Sequence, residues 1–455
     1  MGFASILIVA IFTGSTKEKF CTTCTISLNK VSPYYDGSWQ GIVAASDGAC
    51  YFGSACHSLT HGGGFFRFDP ITKQFDVLSE DLTQLAGDDI TKNTPQGKCH
   101  SPIIDIDGTL YLSTHLAAYW DDVLDKYAGS HILSYNMAEK KWRNYGIVKP
   151  RFSTYSAVEV DAKRGKIYAM IVPFTPADKV AEGNHIYQID VKSGEKRDLG
   201  RVSDGLGNFW FYLDDTGKLW FPIWFGKNQL HCYDPETDKI ATYENAFPEQ
   251  KLAPKGKPVK KASSGEAYSW TWAKAIDGGK RCLFTMGDWG GGDERLWIFD
   301  PSKNIETKEA FIPVCYIGNT FLSVTLGGNR VYYIRFADNK ASRLYDPEAN
   351  RELPADKNGY QPHNLHLMSV ALDPKAPNQF IDHGRIIDQD GRTPSYIASL
   401  AADDKGNVFM NGSWLLKPGD QPTMQFQYKP DDGIEYKTLK RGEFFAWVNV
   451  NDDLK

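Results

Sequence analysis

The chain has 455 residues, with 51 Lys and Arg against 56 Asp and Glu and a formal net charge of −5. So even a balance, without a basic stripe, excludes the electrostatic footprint of a nucleic-acid-binding surface. No apolar run approaches the roughly 18 residues of a membrane-spanning helix, so neither nucleic acid nor membrane is an expected partner.

In chain order, residues 1–20 read as a leader separate from the fold. The apolar run over residues 3–12 has the length of a signal-peptide core, although no Lys or Arg precedes it. The expected destination is therefore extracellular. Eight cysteines follow, and an even count permits disulfides outside the cytosol, Cys50 with Cys56 being one such pairing. Cys21 and Cys24 form a lone CxxC, too little for a zinc or redox site.

From residue 21 onward a two-part phrase recurs seven times. Its first part is a Gly-centred turn running into a strand: SDGACYFG at Gly48, DGTLYLSTH at Gly108, RGKIYAM at Gly165 and TGKLWFP at Gly217. It returns as GGKRCLFTM at Gly279, GGNRVYYIR at Gly328 and KGNVFMNG at Gly406. Its second part is a large side chain entering another turn: FDPIT at Phe68, YNMAE at Tyr135, IDVKSG at Ile189 and YDPET at Tyr233. Then come FDPSK at Phe299, YDPEA at Tyr345 and YKPDDG at Tyr428. Glycine supplies positive φ, Pro presets φ, and the Asp carboxylate accepts from the turn backbone. The runs between turns are aromatic and β-branched, as strands prefer. Each repeat thus predicts a four-stranded antiparallel unit, and seven such units stacked radially bury one another's faces. The expected fold is all-β, a seven-bladed β-propeller forming a single domain over residues 21–455.

The DG and DP turns are short, whereas the connections over residues 55–64, 116–131, 246–268 and 351–396 are long. Long loops on a rigid scaffold are where sites sit, which predicts a site at one mouth of the central channel. Counting back from each turn glycine places Gln40, His100, Tyr155, Phe209, Trp270, Thr320 and Tyr396 around the axis. Counting forward places Ala55, His115, Val172, Trp224, Met286, Arg335 and Ser413 at the ends of the second strands. His100 and His115 are thereby expected side by side, with Tyr155 on the next unit and Arg335 across the mouth.

A His and Tyr pair beside a cation suits β-elimination of a uronic-acid glycoside. A base takes the C5 proton, an acid protonates the leaving O4, and neutralising the carboxylate acidifies C5. Trp39, Trp120, Trp224, Trp270 and Trp289 are candidates for stacking on sugar rings. The segments GKCHSPIIDIDGTLYLSTHL (residues 97–116) and FSTYSAVEVDAKRGKIYAM (residues 152–170) resemble the β-propeller polysaccharide lyases, which include ulvan lyases and rhamnose–glucuronate lyases. The resemblance implies a secreted lyase on a uronate-containing glycan, with His100 as acid/base, Tyr155 as its partner and His115 assisting. It implies an acidic polysaccharide as partner, and Arg335, Arg151, Gln40, Trp270, Trp224 and Tyr396 as substrate-binding residues. The ulvan-degrading members carry an Arg on the strand after the Tyr, where this chain reads AMIVPFTP, so Arg335 or Arg151 would replace it. Some relatives hold a structural calcium or zinc ion; no cofactor is expected here, and a monomer is. The alternative is a non-catalytic carbohydrate- or protein-binding propeller.

Four further segments read as ordinary surface. His57 and His61 form an HxxxH, but the following Gly62–Gly64 argues against the helix that zinc ligation at that spacing needs. His363 and His366 fall in the longest connection, and residues 287–295 form a Gly-rich loop with no following helix. The basic segment 251–261 reads as a solvated loop.

Overall fold

The computed structural model describes residues 19–119, 121–175, 182–203, 207, 210–223, 228–248, 270–286, 295–317, 323–336, 345–346, 351–352, 365–373, 375–376, 378–429 and 433–451. Residues 1–18 of the expected leader, Phe209, Trp224, Thr320, Trp120, Trp289, His363 and the 251–261 loop lie outside the described residues, whereas Phe20, placed in the leader from sequence, opens the first strand. No described helix is long and apolar enough to cross a membrane.

The regular secondary structure of the described chain is almost all strand, in a propeller arrangement. After β1 (Phe20–Ser27), the first sheet comprises β2 (Ile42–Ala44), β3 (Cys50–Ser54), β4 (Gly64–Phe68) and β5 (Phe75–Ser79). The second comprises β6 (Gln96–Cys99), β7 (Ile104–Ile106), β8 (Thr109–Leu116), β9 (His131–Asn136) and β10 (Lys141–Ile147). The third is β11 (Phe152–Asp161), β12 (Lys166–Pro173), β13 (Asn184–Asp190) and β14 (Lys196–Ser203). The fourth is β15 (Tyr212–Leu213), β16 (Leu219–Pro222), β17 (Gln229–Asp234) and β18 (Lys239–Glu244). The fifth is β19 (Trp270–Ile276), β20 (Arg281–Met286), β21 (Arg295–Phe299) and β22 (Phe311–Tyr316).

The remaining strands are β23 (Val324–Gly327), β24 (Arg330–Phe336), β25 (Tyr345–Asp346), β26 (Arg351–Glu352), β27 (Leu365–Ala371), β28 (Phe380–Asp388), β29 (Pro394–Ala402), β30 (Asn407–Leu415), β31 (Met424–Lys429), β32 (Gly433–Thr438) and β33 (Arg441–Asn449). Eight strands make one sheet in the order β23–β24–β27–β28–β1–β33–β30–β29. It divides at β1, which pairs antiparallel with β33 (Ile26 opposite Phe445) and parallel with β28 (Phe20 opposite Arg385).

Turn chemistry explains the hairpins. All seven turn glycines of the repeat have positive φ, from +59° at Gly328 to +91° at Gly217, a region open to glycine at little steric cost. The Asp of the second turn caps its own backbone: Asp69 Oδ1 accepts from the Ile71 and Thr72 amides, and Asp300 Oδ1 from that of Ser302.

Two copies of the second phrase are not where the repeat predicts. The strand expected at YDPEA is β25, which among the described residues pairs with β26 alone, and that expected at YKPDDG is β31, which pairs with β32. The third strands of those units are β27 and β33, built from sequence without the phrase. The 351–396 connection is correspondingly not one loop, because it contains β27 and β28.

The core lies between sheets. Tyr111 and Ile132 of the second sheet pack on Val158, Ile167 and Ala169 of the third, and Met170 of the third on Phe211 and Phe221 of the fourth. The series closes where Phe52 of β3 stacks on Phe445 of β33 at 4.3 Å. A cavity of about 310 Å³ is lined by β2, β7, β11, β19, β23 and β29 with Trp210 and Phe211 ahead of β15. All eight cysteines are free, so the Cys50–Cys56 pairing does not form. Cys21 is buried and Cys24 exposed, on opposite faces of β1, as an odd spacing on a strand requires.

Candidate functional site

The site is built where the first three sheets meet. β6 pairs with the far end of β8, setting Lys98 directly opposite His115. His100 directly follows β6, and its ring and the Lys98 ammonium both lie against Trp39. Gly97 makes this approach feasible: a Cβ there would lie 2.3 Å from Ala117 Cα and 2.6 Å from the Cys56 carbonyl oxygen. The bulge in β11 between Thr154 and Val158 carries Tyr155 beside the two histidines.

His100, His115 and Tyr155 form a triangle of rings. Centroid separations are 5.4 Å between the histidines, 5.0 Å from His100 to Tyr155 and 5.2 Å from His115 to Tyr155. His100 Nδ1 is 3.1 Å from Gln40 Oε1, and the Trp39 indole stacks on its ring at 5.5 Å and 8°. His115 is held at both nitrogens, with Nδ1 2.5 Å from Ser153 Oγ and Nε2 2.7 Å from the Tyr119 hydroxyl. Behind it, Ser153, Ser130, Tyr127 and Gln96 continue the hydrogen-bonded network.

Electrostatics follow from burial. Both imidazoles are held well below their ordinary pKa, by desolvation first and by the charge of Lys98 next, so both are neutral at neutral pH. Desolvation pushes the Tyr155 phenol up, which keeps it protonated. The pair thus consists of a neutral imidazole able to accept a proton and a phenol able to give one.

A cation that sequence reasoning missed sits in the same place. Lys98 Nζ donates to His57 Nε2 at 2.9 Å, and His57 Nδ1 bonds Asp36 Oδ1 at 2.8 Å. The ammonium lies 4.8 Å from the Tyr119 ring centroid and 5.5 Å from that of Trp39. Burial pulls its pKa down to about 7, against the opposing pull of Asp36. The signal was present in the sequence: Lys98 stands two residues before His100.

The other expected site residues separate. Gln40 joins the cluster. Trp270 does not reach the mouth, because it is fully buried in the core between the fourth and fifth sheets, against Phe284. Arg151, with φ +69°, pairs with Asp125 at 3.4 Å. Arg335, on β24, lies opposite His366 of β27, with its Nε buried and lacking a hydrogen-bond partner among the described residues. Tyr396 is half-buried on β29, opposite Ser413. The HxxxH pair is split: His57 faces Lys98, whereas His61 stacks on Tyr34 at 3.8 Å. Among the described residues no group of His, Cys, Asp and Glu is arranged to hold a metal ion.

No protein-family model and no curated protein matches this sequence. Among solved structures, the chain is similar to an oligogalacturonate lyase in complex with manganese, with TM-score 0.43 and 11% identity over 93% of this chain and 96% of that one. It is similar to an ulvan lyase described as a new family of polysaccharide lyase, with TM-score 0.36 and 12% identity over 75% and 82%. It is as similar to a chain of the mitotic checkpoint complex, with TM-score 0.44 and 8% identity over 90% and 94%. Likenesses this distant span lyases and other propellers alike and bear on neither activity nor substrate.

Proposed function

We propose that this protein is a secreted, monomeric polysaccharide lyase with a seven-bladed propeller fold. The five self-contained sheets are one blade each, and the eight-stranded sheet is two, divided at β1. Its substrate is a uronate-containing glycan of the rhamnose–glucuronate type, cleaved by β-elimination at the channel mouth.

The observation that carries this reading is the ring triangle of His100, His115 and Tyr155. His100, neutral, takes the proton from C5. The C5–H electron pair forms the C4–C5 double bond as the C4–O4 bond breaks. Tyr155, protonated, gives its proton to O4, and the tyrosinate is restored by the proton on His100. No water is consumed and no redox partner is needed. His115, fixed at both nitrogens, orients this pair rather than exchanging protons. That fixation also favours the second reading, a carbohydrate-binding propeller, because a fully engaged imidazole is equally a structural one.

The test is ultraviolet absorbance of unsaturated uronate during incubation with gum arabic, ulvan and pectic fragments. A rise with one glycan, lost in His100→Ala, is the expected result. No rise with any glycan, with binding retained, would favour the binding module.

A further inference from the structure

We propose that Lys98 is the cation that receives the substrate carboxylate at this mouth, seated there by the Asp36–His57 pair. The assignment rests on the reading of the site as one for a uronate.

A carboxylate bound beside His100 needs a positive partner, and the strand after Tyr155 has none, reading AMIVPFTP. Arg151 is turned to Asp125. Lys98 is 3% exposed and lies cross-strand from His115. Of its three N–H donors one is satisfied, by His57 Nε2, among the described residues. A buried ammonium with donors unfilled is costly unless something anionic completes it. Access is through Tyr119, which is 40% exposed and whose ring covers the ammonium.

The hydrogen bonds have one consistent direction. Lys98 as ammonium gives to His57 Nε2, so His57 Nδ1–H gives to Asp36 Oδ1, which also accepts from the His57 amide at 3.2 Å. A negative charge two links away thus holds the ammonium in place without neutralising it. The titratable groups around it are Asp36 and His57 on the first sheet's loops, His100 and His115 on the second, and Tyr119. Of these only Asp36 favours the charged form, so an incoming carboxylate is the change that fixes Lys98 as a cation. His57 and Asp36 act through Lys98 and are positioning residues.

The experiment is calorimetric titration of the full chain with glucuronate and, separately, with glucose, between pH 6 and 9. Wild type is expected to prefer glucuronate by about ten- to hundredfold at pH 6, as a charged hydrogen bond supplies. That preference falls as pH rises through the Lys98 amine, while glucose binding stays level. Lys98→Met is expected to bring the ratio near one at every pH, and Lys98→Arg to keep the preference but remove its decline. His57→Gln, with the ammonium unseated, should shift the pH at which the decline occurs. An undiminished ratio in folded Lys98→Met, or an unmoved decline in Lys98→Arg should Lys98→Met not fold, overturns the assignment and leaves a uronate site. A wild-type ratio of one overturns the uronate reading and Lys98 with it.

Discussion

Lys98, His100 and His115 are three bases within one buried patch, and burial above all, with the Lys98 charge next for the two imidazoles, sets how each behaves. A neutral imidazole is what a proton acceptor requires, and the burial that keeps these two neutral also has a stability consequence at Lys98. Its amine titrates near 7 in the fold and near 10.5 in an ordinary setting. Between those values the unfolded chain binds more protons than the folded one, so stability rises with pH there, and below about 7 the full penalty of burying the cation remains. Lys98→Met should therefore raise the melting temperature at pH 6, with the gain shrinking toward zero as pH approaches 10.5. A scanning-calorimetry series at both ends checks it. On the proposed lyase reading, Tyr155→Phe removes the proton donor while keeping the ring, so it should lower turnover by about 10²-fold or more with little change in stability. Turnover and melting temperature measured on one preparation separate the two effects.

At the scale of elements, the site depends on β6, a four-residue strand between the first sheet and its own. Gly97 has no room for a side chain. Gly97→Ala should destabilise the protein by about 1–3 kcal/mol through overpacking, and should weaken activity beyond that by displacing Lys98 and His100. Denaturant melts alongside turnover check this. The hairpins were legible because their turns depend on local chemistry: positive φ at glycine, and Asp69 or Asp300 capping its own backbone. Their partners were not equally legible. YDPEA and YKPDDG have the same local signals as FDPSK, yet β25 and β31 pair within small insertions, since a turn sequence fixes a hairpin without fixing the sheet it joins.

For the whole molecule, closure rests on β1, whose Thr25 and Ile26 pair with β33 while Phe20 and Cys21 pair with β28. Removing residues 1–27 takes away β1 with its fully buried Cys21 and exposes the facing edges of β28 and β33. We expect a loss of at least about 3 kcal/mol in unfolding free energy, with self-association through the unpaired edges. Sedimentation and thermal melting of the truncated chain would show both.

Sequence by itself determined the all-β class, the repeat and its turns, and the company of His100, His115 and Tyr155, because period and turn chemistry are local and a strand's alternation carries a residue's face with it. Only the tertiary structure decided the rest. Trp270 lies on a first strand as expected but turns into the core between its own sheet and the fourth, where a large apolar ring is stabilised most. Lys98 and His57 are 41 residues apart, and Asp36 lies farther still from Lys98, so their alignment exists only once the first two sheets pack. Likewise β1 finds β28 and β33 from the opposite end of the chain: which strand fills an edge is settled by the unpaired backbone groups it meets there.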